Sequence, residues 1–255
     1  MNLLISLVQY NPSWEDKNKN QEKILSFLEE EPSQNSLLIF PEMTLTGFSM
    51  NTEKLSEQRG GESFKFFSDV AKKYSSNIMA GIIEKSGTDY FNTLLHIDSS
   101  GALLNYYRKI HPFSFSDEDK NFTGSNKPVI TEIGKCKIGL SICYDLRFPE
   151  LFRFYAKERI DLIINIANWP TPRIEHWKTL LKARAIENQC FVAGCNRISS
   201  DPYVEYNGFS SIFDPMGHEV LSIENKEGIF SAEIDIKKVE EVRSRLPFLN
   251  DIKLI

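Results

Sequence analysis

Apolar residues in this chain gather into short dense runs bounded by turn-forming residues. Runs of this kind cover residues 3–8, 36–40, 77–83, 93–97, 137–142, 161–166, 191–194 and 210–213. A continuous apolar run, without polar alternation, suits a strand covered on both faces. The segments between several of these runs have helical spacing instead. Residues 13–16, Ser-Trp-Glu-Asp, have the form of a capping box, and the segment after them places Ile24, Leu25, Phe27 and Leu28 at helical spacing. A second helix is predicted over residues 62–74, with Phe64, Phe67, Val70 and Ala71 on one face. A third starts after Cys143, and a fourth spans about 175–188 with Trp177, Leu180, Leu181, Ala185 and Ile186. Asp235 reads as the N-cap of a final helix that stops before Pro247. The stretches "IDSSGALL" (97–104) and "FDPMGHEVL" (213–221) each read as strand, Asp-x-x-Gly turn, strand. Hairpins among alternating strands and helices predict an α/β sandwich of mixed sheets with helices on their outer faces.

Composition narrows the function more than the fold. A chain of 255 residues with 41% hydrophobic content can bury a large core, and without a visible linker one domain over residues 1–255 is expected. A net charge of -5 and a pI near 5.5 argue against nucleic-acid binding. Lys72-Lys73 and Lys237-Lys238 read as solvated helix faces. The N-terminal "MNLLISLVQYNP" has no cationic lead and is interrupted at Gln9, so it does not read as a signal peptide. No apolar run approaches the roughly 18 residues a membrane span needs, and a cytoplasmic protein is expected. Cys136, Cys143, Cys190 and Cys195 form no CxxC pair and read as reduced thiols. His96, His111, His176 and His218 have no histidine partner at ligand spacing, so neither a metal nor another cofactor is expected.

Three strand-like runs end in side chains that chemistry can use. "KIGLSICYDLRFPEL" (137–151) puts Cys143 where a strand meets a helix entry, a turn that can present a thiol to a cleft with backbone N–H groups facing a developing oxyanion. Its bland alternative is a buried packing thiol. "LLIFPEMTLTGF" (37–48) carries Glu42 at a strand end, a solvated charge or a general base. "LLNYYRKIHPF" (103–113) delivers Arg108 and Lys109, and because neighbouring strand residues face opposite ways only one of them can enter a cleft. His111 and His176 are further candidates for a base. Together, the thiol, carboxylate and ammonium read as a thiolate-generating cluster in which the cation lowers the thiol pKa and binds the oxyanion. Phe48, Phe113 and Trp169 are candidates for pocket walls, or for ordinary core.

The stretches "FPEMTLTGF", "YRKIHPF", "CYDLRFPEL", "NWP" and "HWKTLLKARAIENQCFVAGCNR" resemble the motifs of the nitrilase superfamily of carbon–nitrogen hydrolases, over most of the chain from Gln9 to the final helix. The resemblance implies a four-layer α-β-β-α sandwich and a metal-free Glu-Lys-Cys triad that hydrolyses non-peptide amides or nitriles through a thioester or related acyl-enzyme. Glu42, Lys109 and Cys143 match the triad. By the same implication Glu42 is the base, Cys143 the nucleophile, and Lys109 with the Tyr144 backbone N–H holds the oxyanion. A second glutamate of the family matches Glu118, with Asp117 one residue away.

The stretch "NIANWPTPRIEHWKTLLKARAIENQCFVAGCNRI" is similar to the ω-amidase branch. That implies hydrolysis of the distal amide of 2-oxoglutaramate or 2-oxosuccinamate to the 2-oxo dicarboxylate and ammonia, with the small-molecule amide and water as partners. Nitrilases and N-carbamoyl-amine hydrolases share the triad and stand as the alternative, and a silent binding protein on the same fold is a third reading. The remote carboxylate of such an amide needs a cation, for which Arg173 is the candidate, although a surface ion pair is an equal reading. Arg147 and Arg184 are expected to brace structure. The resemblance also implies a homodimer, with the segment from about 235 to 255 a candidate for its interface.

Overall fold

In each central strand alternate side chains point to opposite faces, and here both faces are apolar, so each sheet needs cover on two sides. The computed structural model describes residues 1–31 and 33–254. In chain order the elements are β1 (Asn2–Gln9), α1 (Lys17–Glu30), β2 (Leu37–Ile39), α2 (Thr52–Leu55), α3 (Glu62–Tyr74), β3 (Asn77–Ser86), β4 (Asp89–Ile97), β5 (Leu103–Arg108), α4 (Glu118–Asn121), β6 (Ile130–Ile133), β7 (Cys136–Ile142), α5 (Pro149–Lys157), β8 (Leu162–Ala167), α6 (Ile174–Asn188), β9 (Phe191–Asn196), β10 (Ile198–Ser200), β11 (Glu205–Phe213), β12 (Glu219–Glu224), β13 (Gly228–Asp235) and α7 (Lys237–Arg245).

The strands form a six-stranded sheet in the order β13-β1-β2-β3-β4-β5 and a seven-stranded one in the order β10-β11-β9-β8-β7-β6, with β12 paired to β11. Both are mixed. β1, β2 and β3 run parallel, as do β7, β8 and β9, and the outer pairings are antiparallel.

Side-chain alternation in β1 and β2 sorts their apolar residues between two cores. Ile5, Leu7, Leu37 and Ile39 enter the core shared with β7 and β8, whereas Val8 and Leu38 pack outward with Ile24 and Leu28 of α1 and Phe67 and Val70 of α3. On the far side Phe152 and Tyr155 of α5 and Trp177 and Leu181 of α6 close over β7, β8 and β9. Gly194 of β9 marks a close approach of α6, because a Cβ there would lie 2.5 Å from Leu181 and 2.7 Å from Trp177. The result is a four-layer α-β-β-α sandwich. Among the described residues no helix is long and apolar enough to cross a membrane.

All eight predicted runs fall on strands, and the helix predicted over 62–74 coincides with α3. Both hairpins form around the same device. Asp98 Oδ1 accepts from the N–H groups of Ser100 (2.9 Å) and Ala102 (3.0 Å), and Asp214 Oδ1 from those of Met216 (2.8 Å) and His218 (2.9 Å).

Two helix starts differ from expectation. The N-cap of α1 is Asp16, whose side chain accepts from Lys19 N, while Ser13 is held by Asn20 through both its N–H and its carbonyl. Asp235 does accept from Lys237 N (3.1 Å), but the cap position of α7 is Ile236. No apolar run announces β6, β10 or β13. They lie at sheet edges, where one face meets polar surroundings and a continuous run is not required.

Candidate active site

The end of β2 sets the first group. The chain passes through Pro41 to Glu42 and turns sharply at Met43, whose φ is 46°. Gly81 of β3 makes room for this turn, since a Cβ there would lie 2.5 Å from Met43 N and 3.0 Å from the Glu42 Cα. The Glu42 carboxylate is buried, and each oxygen is held. Oε1 accepts from Lys109 Nζ (2.8 Å) and Asn92 Nδ2 (2.7 Å), and Oε2 from Asn168 N (2.9 Å) and, more weakly, Asn168 Nδ2 (3.3 Å).

Lys109 follows the last residue of β5, and its Nζ also donates to Glu118 Oε2 (2.8 Å) and Oε1 (3.1 Å). Arg108, one residue earlier, faces the other way and pairs with Glu84. Asn92 Nδ2 spans the two acids, reaching Glu118 Oε1 at 2.8 Å. The buried acid is therefore Glu118. Asp117 stays at the surface, paired with Lys120 at 2.7 Å.

Cys143 sits where β7 gives way to a five-residue 3₁₀ turn, with φ of 46°, a left-handed conformation that an L side chain adopts at a cost. Asp145 fixes this turn. Its Oδ2 accepts from Ile142 N (3.0 Å) and the Tyr107 hydroxyl (2.8 Å), and its Oδ1 from His111 N (3.0 Å) and Nδ1 (2.7 Å). One carboxylate thus ties the cysteine turn to the segment just past Lys109. Arg184 closes the turn from α6 by donating to the Leu146 carbonyl through Nη2 (2.8 Å), the bracing expected of it.

Burial, and after it the Glu42 charge, push the Cys143 thiol well above its ordinary pKa, while Lys109 pulls the other way. Lys109 acts in the expected direction but is outweighed, so the thiol is raised overall. Lys109 faces two carboxylates, and one positive charge does not offset both. Burial disfavours the Lys109 ammonium, but Glu118 and Glu42 outweigh it and hold its pKa above the usual lysine range. Burial raises the Glu118 pKa against the pull of Lys109. The arrangement at rest is a raised thiol near one ammonium and two buried acids.

Cys143 opens onto a cavity of about 590 Å³. Phe48, Phe113 and Trp169, the candidate pocket walls, line it together with Tyr144 and Arg173. Arg147 lines it too, which corrects its expected role as a brace: its guanidinium lies 4.7 Å from the Trp169 ring centroid and donates to His176 Nδ1 at 3.2 and 3.3 Å. Arg173 lies 5.5 Å from the Phe113 ring, and Trp169 Nε1 donates to its carbonyl at 2.7 Å. The Arg147 pKa is lowered by burial and by the charge of Arg173. Among the described residues neither guanidinium forms an ion pair.

The profile of the carbon–nitrogen hydrolase family matches residues 4–244. The chain belongs to the carbon–nitrogen hydrolase family. It is 36% identical to the 2-oxoglutaramate amidase of Bacillus subtilis over 99% of this chain and 98% of the relative, and 31% identical to the omega-amidase YafV of Escherichia coli K12 over 98% and 96%. A solved CN-hydrolase superfamily protein of Xanthomonas campestris superposes with a TM-score of 0.95 at 33% identity, covering 100% of this chain and 98% of that one.

In this hydrolase the residues that sequence reasoning missed are Asn92, Asp145 and Asn168 around the cluster, and Trp14, Tyr203 and Tyr206 around the cavity. Of these only Asn168 follows an apolar strand run, the end of β8, in the way that Glu42, Lys109 and Cys143 follow theirs. Asn168 meets Glu42 across 126 residues of chain, a separation that local pattern does not bridge.

Proposed function

We propose that this hydrolase is an ω-amidase that cleaves the distal amide of a 2-oxo dicarboxylic acid monoamide, such as 2-oxoglutaramate or 2-oxosuccinamate, to the 2-oxo dicarboxylate and ammonia. The observation that carries the reading is the pair Arg147 and Arg173, two guanidiniums facing the same cavity as Cys143. A guanidinium binds a carboxylate in bidentate fashion, and a substrate anion here would relieve the repulsion between the two cations. The names borne by the amidase relatives support the same substrate class.

Glu42 takes the thiol proton as Cys143 Sγ attacks the amide carbon. The oxyanion is held by Lys109 and the Tyr144 N–H. As the C–N bond breaks, the protonated Glu42 gives its proton to nitrogen, and ammonia leaves behind a thioester. Water then attacks, Glu42 takes its proton, the S–C bond breaks and the thiol is restored. Glu118 and Asn92 position Lys109 and Glu42. Phe48, Phe113 and Trp169 exclude water from the acyl chain.

The catalytic unit is one domain over residues 1–255, working as a homodimer in the cytoplasm. Phe248 and Leu254, 61% and 97% exposed, give the C-terminal segment an apolar surface for a second copy to cover. Four buried free cysteines suit a reducing compartment.

The test is a panel of ω-amides, nitriles and N-carbamoyl amines with wild type and Cys143→Ala. Primary ω-amides are expected to give the highest kcat/KM, and Cys143→Ala no ammonia release above background. A higher kcat/KM for a nitrile or an N-carbamoyl amine, or full activity in Cys143→Ala, would overturn the reading.

A further inference from the structure

The cavity is larger than a five-carbon amide needs, since a pocket of roughly 300–1,000 Å³ is of the size that encloses a drug-sized ligand. Its lining holds two groups of side chains. Arg147 and Arg173 join Trp169, Phe113 and Tyr144 through ring contacts. Phe48, Met50, Trp14, Tyr203, Val204 and Tyr206 form an aromatic and aliphatic side, with Lys109 near the Phe48 ring and Arg197 near the Tyr206 ring both outside the lining.

The second side is built as well as exposed. Trp14 and Tyr203 meet edge to face with ring centroids 5.9 Å apart, and Trp14 packs on Gly47 next to Phe48. The buried Asp201 carboxylate holds the loop that presents Tyr203, accepting from Tyr203 N (2.8 Å), Val204 N (2.9 Å) and the Tyr206 hydroxyl (2.5 Å). Tyr203 is nonetheless 80% exposed, an aromatic ring kept at the mouth with one face free.

We propose that this aromatic side is a subsite for the leaving amine, so that the enzyme also hydrolyses secondary ω-amides carrying an arylalkyl group on nitrogen. The inference rests on the ω-amidase reading. With the acyl carbon at Cys143 Sγ and the remote carboxylate on the arginines, the substituent left to meet the aromatic side is the one on nitrogen. The chemistry is unchanged: Sγ bonds to the acyl carbon, the C–N bond breaks, and the proton that Glu42 took from the thiol goes to the departing amine, which leaves as an arylalkylamine in place of ammonia.

The experiment compares succinamic acid with its N-benzyl amide, following product release by wild type, Trp14→Ala and Tyr203→Ala. Wild type is expected to cleave both, and each variant to lower the ratio of kcat/KM for the N-benzyl amide to that for the primary amide about tenfold, through KM. Cleavage of the primary amide alone, or variants that leave the ratio unchanged, would overturn the subsite and spare the ω-amidase reading. Cleavage of neither would overturn the subsite, and the ω-amidase reading falls with it if 2-oxoglutaramate is not cleaved either.

Discussion

Arg108 and Lys109 are adjacent in the chain, yet each enters a different buried ionic cluster. Arg108 joins Arg59 around Glu84, two cations to one acid, with the guanidiniums 3.7 Å from the Phe91 ring and 3.2 Å from the Tyr106 ring respectively. Lys109 joins Glu42 and Glu118, one cation to two acids, beside a thiol. Burial opposes the Glu84 charge, but Arg108, Thr93 and Arg59 outweigh it and hold its pKa below the usual value. In the other cluster burial wins, and the Glu118 and Cys143 pKa values rise. An excess of cations holds its acid below the usual pKa, and an excess of acid leaves Glu118 and the neighbouring thiol above theirs.

Three substitutions probe that contrast. On the proposed mechanism, Lys109→Met should lower kcat by about a hundredfold or more, because an oxyanion donor and the cation between two acids are both lost. Retention of near-wild-type kcat would dissolve the distinction between the clusters. Glu84→Gln should lower stability by about 3 kcal/mol, as two guanidiniums lose their buried counter-ion, while kcat per folded molecule holds. Denaturant unfolding and active-site titration read the two effects separately.

The same variant carries a pH signature. Glu84 has a depressed folded pKa, so its stabilisation is present above about 4.5 and is lost as pH falls through the folded value. Glu84→Gln should therefore flatten the loss of stability below about pH 4.5. Glu118 has a raised folded pKa and behaves oppositely, its share being lost as pH rises. The smallest effect is expected from Glu118→Gln: with one acid removed, the Cys143 thiol should titrate lower and react with iodoacetamide several-fold faster at neutral pH. An unchanged alkylation profile would remove Glu118 from the account of the raised thiol.

Glu42, Lys109 and Cys143 are legible in the sequence because each ends an apolar run, and a strand end is a place that sequence can mark. The opposed directions of Arg108 and Lys109 follow from strand alternation alone. Arg147 escapes such reading because its position after the nucleophile turn says nothing of which way a 3₁₀ turn points its side chains. Asp145 is invisible for a related reason: its four hydrogen bonds come from three residues, in β5, in the segment beyond it and at the end of β7, and only folding brings them to one carboxylate. The balance of charge around Cys143 depends on the number of acids at the site, which spacing does not supply.

The left-handed backbone at Cys143 has a consequence for how this protein can evolve. A glycine there would escape a penalty of roughly 1 kcal/mol that side chains with a Cβ incur, so the residue proposed as the nucleophile stands where the fold would settle more easily without it. A lineage released from selection for activity would be expected to drift toward glycine at residue 143 and gain stability as it lost its nucleophile. On the proposed mechanism, selection for activity and selection for stability therefore oppose each other at this one position.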